Sequence, residues 1–358
     1  MPLPPHASPL RTALTVAVAA VALVALPACG GGGEGEDAAE VTAAPTTATA
    51  TPAPAVPVAE LAARGVDEGG LVPVLMYHEV AAQVGAGDEY STTPARLRED
   101  LERLHAGGYR PVSLSDLVDG RIDVPLGTTP VVITFDDGAP GQFRLLPGGE
   151  VDPESAVGIL NAFAERNPDW GRRAVFYVND RPFGQPGREA EKLRMLAEWG
   201  YEVGNHTLTH RDLSTLAPGQ VRRELAGLTA RVQEHAPDVR LRHLALPFGA
   251  MPRSAGLARS GEAGGTAYRH DSVALVGAEP APSPFARRFD PLQLPRIRAA
   301  ADDGDAAEWG DWRRRLDDEG LRFVSDGDPD VVTVSRDLVP RIRVRPGQTL
   351  RVVPPGAS

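Results

Sequence analysis

Two consecutive aspartates at the end of an apolar run constrain this chain more than any other feature of its sequence. Residues 131–135 (Val-Val-Ile-Thr-Phe) are β-branched and aromatic without alternation, which favours a parallel strand buried on both faces. Asp136 and Asp137 follow at once, and Gly138 supplies a permissive backbone for a turn. Because carboxylates inside such a strand would carry a large desolvation cost, both are expected at its exit. Neighbouring side chains on a strand point to opposite faces, so the two aspartates should have different roles.

Two histidines later in the chain offer nitrogen ligands that would complete a metal site. His206 and His210 follow a second strand-like segment, residues 201–205. Their spacing would put both imidazoles on one side of a helical turn. One aspartate oxygen plus two histidine nitrogens is a usual catalytic zinc set that leaves a position open for water. Each motif alone is more often a polar turn or an ordinary histidine pair, but together they predict a hydrolase that depends on a divalent metal, zinc in the first place.

The residues around these motifs resemble the polysaccharide deacetylases, carbohydrate esterase family 4. The likeness lies in Thr-Phe-Asp-Asp-Gly at 134–138, His-Thr-x-x-His at 206–210 and Leu-Pro-Phe-Gly at 246–249. Residues 72–78 (Val-Pro-Val-Leu-Met-Tyr-His) are also similar to the first strand of one branch, which deacetylates exported poly-β-N-acetylglucosamine. The resemblance covers the chain from about residue 70 to residue 300.

The resemblance implies a role for each residue of the expected site. Asp137, His206 and His210 would hold the metal, and Asp136 would take a proton from the attacking water. A backbone N–H in the turn after Asp137 would help to stabilise the oxyanion. Phe248 would offer a flat wall to a sugar ring, although a phenylalanine after proline is a core residue at least as often.

Two departures from the family pattern affect the general acid and a supporting arginine. Many members carry an arginine before the proline of the third motif, where this chain has Ala245. Arg296 is expected to replace it, the alternative being a surface arginine near a strand start. The late Leu-x-His that supplies the acid in many members is also absent. The branch with the Tyr-His strand implies His78 as the acid, with His270 as the alternative. His78 is preferred because it ends a strand, whereas His270 precedes one and would point to the opposite end of a parallel barrel.

The N-terminal residues 1–28 are typical of an export signal. Arg11 is a weak charged flank, and residues 12–25 form an Ala/Val/Leu core. Leu-Pro-Ala before Cys29, the only cysteine, resembles a bacterial lipobox, in which the cysteine is acylated and becomes the mature N-terminus. The alternative is an uncleaved membrane anchor. Either interpretation places the catalytic part outside the cytoplasm, tethered to the membrane, and a single cysteine excludes an internal disulfide.

The composition of the chain indicates a tether and limits the kinds of molecule that the protein can bind. Residues 29–66 are rich in Gly and then in Ala, Thr and Pro, which predicts a flexible tether. Acidic residues outnumber basic ones, 48 to 37, for a formal net charge of −11, which argues against nucleic-acid binding. We expect a monomer that acts on acetylated polysaccharide.

Alternating strand and helix signals predict an α/β fold. Helices are expected at 93–107, 152–166, 189–199 and 218–235, and strands at 174–178, 201–205 and 241–246. This alternation implies a parallel sheet, closed into an irregular (β/α) barrel over residues 67–300, as the resemblance also implies. Residues 140–152 form a long loop, either a wall of the cleft or a surface excursion. Residues 301–358 are expected to be a small appendage with a helix at 306–316 and strands around 331–334, 342–344 and 350–353.

The sequence therefore predicts a hydrolase that removes acetyl groups from N-acetylated amino sugars of a cell-wall or extracellular polysaccharide. One alternative is an O-acetyl ester deacetylase acting on a polysaccharide such as xylan. The other is a non-catalytic lipoprotein that binds glycan. A binding module has no use for a free carboxylate beside a metal, which speaks against the last.

Overall fold

The computed structural model describes residues 56–277, 279–299 and 308–354, which fold around a parallel sheet. The strands are β1 Val74–Tyr77, β2 Tyr109–Pro111, β3 Thr129–Phe135, β4 Val175–Val178, β5 Glu202–Asn205, β6 His243–Ala245, β7 Ser260–Ala263, β8 Thr266–Arg269, β9 Ser272–Ala274, β10 Ile297–Arg298, β11 Val331–Ser335 and β12 Thr349–Val353. The α-helices are α1 Val58–Ala63, α2 Pro94–Ala106, α3 Leu114–Asp119, α4 Ala156–Arg166, α5 Glu189–Glu198, α6 Pro218–His235, α7 Gly256–Arg259 and α8 Glu308–Asp318. Short 3₁₀ helices lie at Pro182–Gly184, Leu213–Thr215, Pro247–Gly249, Pro291–Gln293 and Val339–Arg341.

The central sheet is parallel throughout and curls into an irregular barrel. Its strands follow the order β10-β1-β3-β4-β5-β6-β9, and β2 pairs with the first half of β3. The segment that ends in β10 also reaches the other edge of the sheet. There the backbone N–H of Leu294 donates to the carbonyl of Val273 in β9, while Ile297 pairs with Leu75 of β1. The structure thus confirms the expected (β/α) barrel.

Strand β3 lies inside the sheet, between β1 and β4, and carries the first site motif. All seven of its residues are buried, as its apolar run predicts. The ring of Phe135 stacks on Tyr77 of β1 at 5.4 Å and on Phe176 of β4 at 5.0 Å. These contacts fix the carboxyl end of β3, from which Asp136 and Asp137 emerge.

Local capping explains where the helices begin. The hydroxyl of Thr93 accepts a hydrogen bond from the Arg96 N–H at 3.1 Å, with Pro94 in the first turn, so α2 begins where the sequence predicts. Helix α4 begins at Ala156 rather than near residue 152. Its N-cap is Ser155, whose hydroxyl accepts from the Gly158 N–H at 3.3 Å.

The described end of the expected tether is folded. Helix α1 lies inside the range 29–66, and Leu61 and Val66 are buried against Val353 of β12. The folded part of the chain thus begins before the expected boundary at residue 66, because these apolar side chains pack against β12. The remainder of the tether, the export signal and Cys29 fall outside the described residues.

The C-terminal segment packs into the barrel core. Phe323, Val332 and Val334 belong to the same apolar cluster as Val72 and Val132 of the barrel. Strands β11 and β12 are present as expected and pair in parallel. The strand expected at 342–344 is wrong: Ile342 makes only an isolated bridge to Ala286. Within the described ranges, no helix has the length and apolarity needed to cross a membrane.

Candidate active site

The carboxyl ends of the parallel strands bring the candidate residues to one edge of the sheet. His78 follows β1, Asp136 follows β3, His206 follows β5 and Phe248 lies just beyond β6. Arg296 reaches the same place from the residue before β10. This edge is where a barrel of this type places its chemistry.

Asp137, His206 and His210 form a group that can hold a metal ion. Oδ1 of Asp137 lies 3.3 Å from Nε2 of His206 and 3.3 Å from Nε2 of His210. The three ligand atoms lie within 4.8 Å of one another. His206 is buried, whereas Asp137 and His210 are partly exposed, so the group faces solvent on one side.

The two histidines are not on a helical turn, contrary to the sequence prediction. Residues 206–210 form an irregular turn in which Thr207 has a φ of 65° and His210 a φ of 54°. Left-handed backbone is rare for residues other than glycine and is held here by polar side chains. The Asn179 side-chain amide donates to the carbonyls of His206 at 2.7 Å and Thr207 at 2.9 Å. Oδ1 of Asn205 accepts from the Thr207 N–H at 2.8 Å.

Hydrogen bonding prepares this group for a metal. Nδ1 of His206 lies 2.9 Å from the carbonyl of Ala245, which can only accept, so Nδ1 carries a proton and Nε2 is the nitrogen available to a metal. One carboxylate oxygen and two imidazole nitrogens match the donors of catalytic zinc sites. The described residues therefore fit a divalent metal.

Burial and neighbouring charges shift the pKa of each ligand. Burial alone would raise the pKa of Asp137, but the hydrogen bond and charge of His206 hold that pKa below its ordinary value. Burial lowers the pKa of His210, and the charge of His206 lowers it further. Asp137 thus favours its carboxylate form and His210 its neutral form, and these are the forms that bind metal. Burial would lower the pKa of His206, but the charges of Asp136 and Asp137 raise it, so His206 releases a proton when a metal binds.

Asp136 sits beside this group in a buried ion pair. Two nitrogens of the Arg296 guanidinium donate to Oδ1 and Oδ2 of Asp136, each at 2.7 Å. The same guanidinium donates to the Thr134 hydroxyl at 3.1 Å and to the Leu275 carbonyl at 2.9 Å. Burial would raise the pKa of Asp136, but the charge and hydrogen bonds of Arg296, together with the charges of His206 and His78, outweigh it and hold the pKa well below its usual range. Arg296 is fully buried and is therefore not a surface arginine.

The two candidate acids lie in different places. Nε2 of His78 is 3.9 Å from Oδ2 of Asp136, and its ring meets the edge of Tyr90 with centroids 4.9 Å apart. Burial lowers the pKa of His78, while the charges of Asp136 and Asp137 oppose that change. His270 precedes β9 at the amino end of the strand, where Nδ1 donates to the Ala258 carbonyl at 2.7 Å. The structure brings His78, and not His270, to the metal ligands.

Phe248 is exposed beside the candidate metal ligands. Its side chain is 68% exposed, and its ring centroid lies 4.9 Å from that of His210. It is therefore not a core residue, in spite of the proline before it.

Three polar or aromatic residues beside the site belong to none of the sequence motifs. Tyr90 is half exposed beside His78, Asn179 holds the histidine turn, and Gln142 donates to the carbonyl of His78 at 2.9 Å. Gln142 belongs to the loop after β3, so the base of that loop contacts the site and is not a mere surface excursion. No local pattern could have found these residues, because each acts through a partner distant in sequence.

Comparison with known proteins finds similarity to one family over the middle of the chain. The model of the polysaccharide deacetylase family matches residues 123–266. A chitooligosaccharide deacetylase from Sinorhizobium fredii is 31% identical over 124 residues, which make up 34% of this chain and 48% of that protein. Another, from Bradyrhizobium, is 28% identical over 138 residues, or 38% of this chain and 54% of that protein. The chain spans about half the length of these curated relatives.

A solved structure shares the fold. The polysaccharide deacetylase from Bacillus cereus superimposes with a TM-score of 0.51 at 17% identity, over 68% of this chain and 69% of that one. At this identity the likeness concerns the fold alone.

Proposed function

We propose, from the match of residues 123–266 to the model of the polysaccharide deacetylase family, that the chain is a metal-dependent hydrolase of N-acetylated amino sugars in a cell-wall or extracellular polysaccharide. One observation carries the proposal. A ligand group of Asp137, His206 and His210 adjoins a separate, buried carboxylate, Asp136, that is held by Arg296. Metal ligands beside a carboxylate that is not a ligand are what hydrolysis by an activated water requires.

The roles of the residues follow from their positions. A divalent cation, zinc in the first place, would supply Lewis acidity toward water and toward the acetyl carbonyl. Asp136 accepts the proton of the attacking water, and Arg296 keeps its carboxylate ionised and oriented. The backbone after Asp137 offers an N–H to the developing oxyanion.

The leaving amine needs a proton, because an amide nitrogen is a poor leaving group until it is protonated. His78 is the candidate donor, since its Nε2 lies at the same edge of the sheet as Asp136. Phe248 offers its exposed ring to the sugar that carries the acetyl group.

The substrate is proposed from the same site. The opening strand that ends in His78 supports an exported poly-β-N-acetylglucosamine or a chemically similar glycan. An acetyl ester of a polysaccharide such as xylan passes through the same tetrahedral intermediate and is the second candidate. The intact ligand group speaks against a non-catalytic glycan-binding protein.

The location is part of the proposal. We propose that Cys29 is lipidated and anchors the enzyme outside the cytoplasm, where it acts as a monomer on glycan near the membrane. In a bacterial host fed radiolabelled palmitate, the wild-type protein should take up the label and Cys29→Ser should not. Absence of label in the wild type, or equal label in Cys29→Ser, would contradict lipidation of Cys29.

The activity is tested by acetate release from a panel of matched substrates. The panel pairs N-acetylglucosamine oligomers with O-acetylated xylo-oligomers, each assayed after chelation and return of zinc, cobalt or manganese. We expect zinc-restored acetate release from the N-acetylated oligomers. Release from the xylo-oligomers alone would favour the ester activity, and no release from either would contradict both.

A further inference from the structure

A buried glutamine connects the backbone of the candidate acid to that of the candidate base. The pairing between β1 and β3 ends at Tyr77 and Phe135, after which the Asp136 N–H still donates to the Tyr77 carbonyl at 2.9 Å. The next carbonyls, of His78 and Asp136, are beyond the strands. The side-chain amide nitrogen of Gln142 donates to both, at 2.9 Å to His78 and at a shorter distance to Asp136.

Gln142 is held firmly by its own surroundings. Its side chain is completely buried. Its backbone carbonyl accepts from the Val157 N–H of α4 at 2.9 Å, and its N–H donates to the Ala139 carbonyl at 3.1 Å. The neighbouring Gly141 N–H donates to Oε1 of Glu79 at 2.9 Å, which ties the same loop to the exit of β1. These bonds fix the backbone of Gln142 to α4 and to the exit of β1, and the side-chain amide extends from that fixed backbone to the two carbonyls.

We propose that Gln142 is a positioning residue that sets the separation between His78 and Asp136, an inference that rests on the proposed function. Nε2 of His78 and Oδ2 of Asp136 are 3.9 Å apart, and both must reach one acetyl group. Removing the amide leaves the carbonyls of His78 and Asp136 without the donor that they share, so the two exits can separate. A misplacement of about 1 Å can cost about 10²-fold in rate.

Gln142→Met tests this inference, because Met keeps the side-chain length but cannot donate. The matched control is Gln185→Met. Gln185 holds the same loop through the backbone of Leu145, accepting from its N–H and donating to its carbonyl, each at 2.9 Å. Among the described residues, its side-chain hydrogen bonds go to Leu145 and not to His78 or Asp136.

The readouts are metal content, KM and kcat on an N-acetylated chito-oligomer, and kcat on an aryl acetate. Gln142→Met should lower kcat on the amide by about 10²-fold, with KM and metal content near wild type. The value of kcat on the aryl acetate should fall less, because its leaving group needs less help from a proton. Gln185→Met should keep the wild-type ratio of amide to ester turnover. Equal losses in the two variants, or a loss through metal content, would overturn the inference.

A second measurement does not depend on the substrate. A crystal structure of Gln142→Met should show a longer separation between Nε2 of His78 and Oδ2 of Asp136 than 3.9 Å. If that separation is unchanged, Gln142 has no positioning role, whatever the enzyme acts on. If wild type fails on every acetylated amine while the separation does lengthen, the proposed function is wrong and the positioning role stands. If Gln142→Met does not fold, Gln142→Leu, which is close in volume and has no donor, should show the same lengthening.

Discussion

Two neighbouring aspartates have opposite surroundings. Asp136 is buried and accepts two hydrogen bonds from Arg296. Asp137 is partly exposed, has a φ of 77° and lies beside two imidazoles. The alternation of side chains at a strand end makes this division possible, because adjacent residues leave toward opposite faces. The division predicts that the two carboxylates fail in different ways when they are replaced.

Replacing each aspartate by asparagine separates their roles. Asp136→Asn should keep its metal and lower kcat by about 10²–10⁴-fold, because the carboxylate that receives the proton is gone. Asp137→Asn should mainly weaken metal binding. Equilibrium dialysis with zinc and acetate release measure the two effects. A larger loss of metal in the Asp136 variant would mean that the roles are reversed.

The two histidine candidates for the acid also separate at the scale of single residues. His78→Ala should lose most turnover on a glycan amide, retain its metal and lose less on an aryl acetate. His270→Ala removes a buried ring that stacks on Tyr268 at 5.4 Å, so it should lower stability with little change in kcat. The two variants are compared by kcat and by thermal melting. A crippled His270→Ala beside a near-normal His78→Ala would make His270 the acid.

At the scale of elements, the sequence predicted what local patterns determine. The apolar run 131–135 and the Thr93 cap predicted β3 and the start of α2, because strand and cap signals lie within a few residues. The shape of the 206–210 turn could not be predicted, since its left-handed residues are held by Asn179 and Asn205 from outside the motif. For the same reason, no spacing could show that the Gln142 amide reaches the exits of two strands.

Helix α5 is joined to the site by the chain's single lysine. Lys192 is buried, and its Nζ donates to the carbonyls of Phe143 at 2.7 Å and Phe183 at 3.1 Å. The N–H of Phe183 in turn donates to the Gly138 carbonyl at 2.6 Å. Burial lowers the pKa of Lys192 to about 8. Between a pH of about 8 and the ordinary lysine pKa of about 10.4, the folded protein therefore binds fewer protons than the unfolded chain.

This shift gives a dependence of stability on pH. Because the unfolded state binds more protons in that window, the contribution of Lys192 to the free energy of unfolding rises with pH from about 8. The difference between wild type and Lys192→Met should therefore grow in favour of wild type between pH 8 and 10 and stay flat below pH 7. Urea unfolding at each pH measures it, and a difference that does not change with pH would contradict the buried, shifted lysine.

At the scale of the whole molecule, the C-terminal segment shares the core of the barrel. Phe323 is fully buried, and its ring lies 6.2 Å from that of Phe285. Phe323→Ala should lower the free energy of unfolding by about 3–5 kcal/mol, because it leaves a cavity in the shared core. Leu350→Ala, at a side chain that is 36% exposed in β12, is the matched control and should cost much less. Equal costs in urea unfolding would mean that the segment is only loosely attached.

The proposed function requires that a metal held by Asp137, His206 and His210 takes part in the release of acetate from an N-acetylated glycan. The most direct test measures bound metal and acetate release together, in wild type and in His206→Ala, after chelation and after zinc is returned. We predict that wild type loses both on chelation and regains both with zinc, while His206→Ala regains neither and stays folded. Normal acetate release by chelated wild type, or by His206→Ala without bound metal, would contradict the proposed metal dependence.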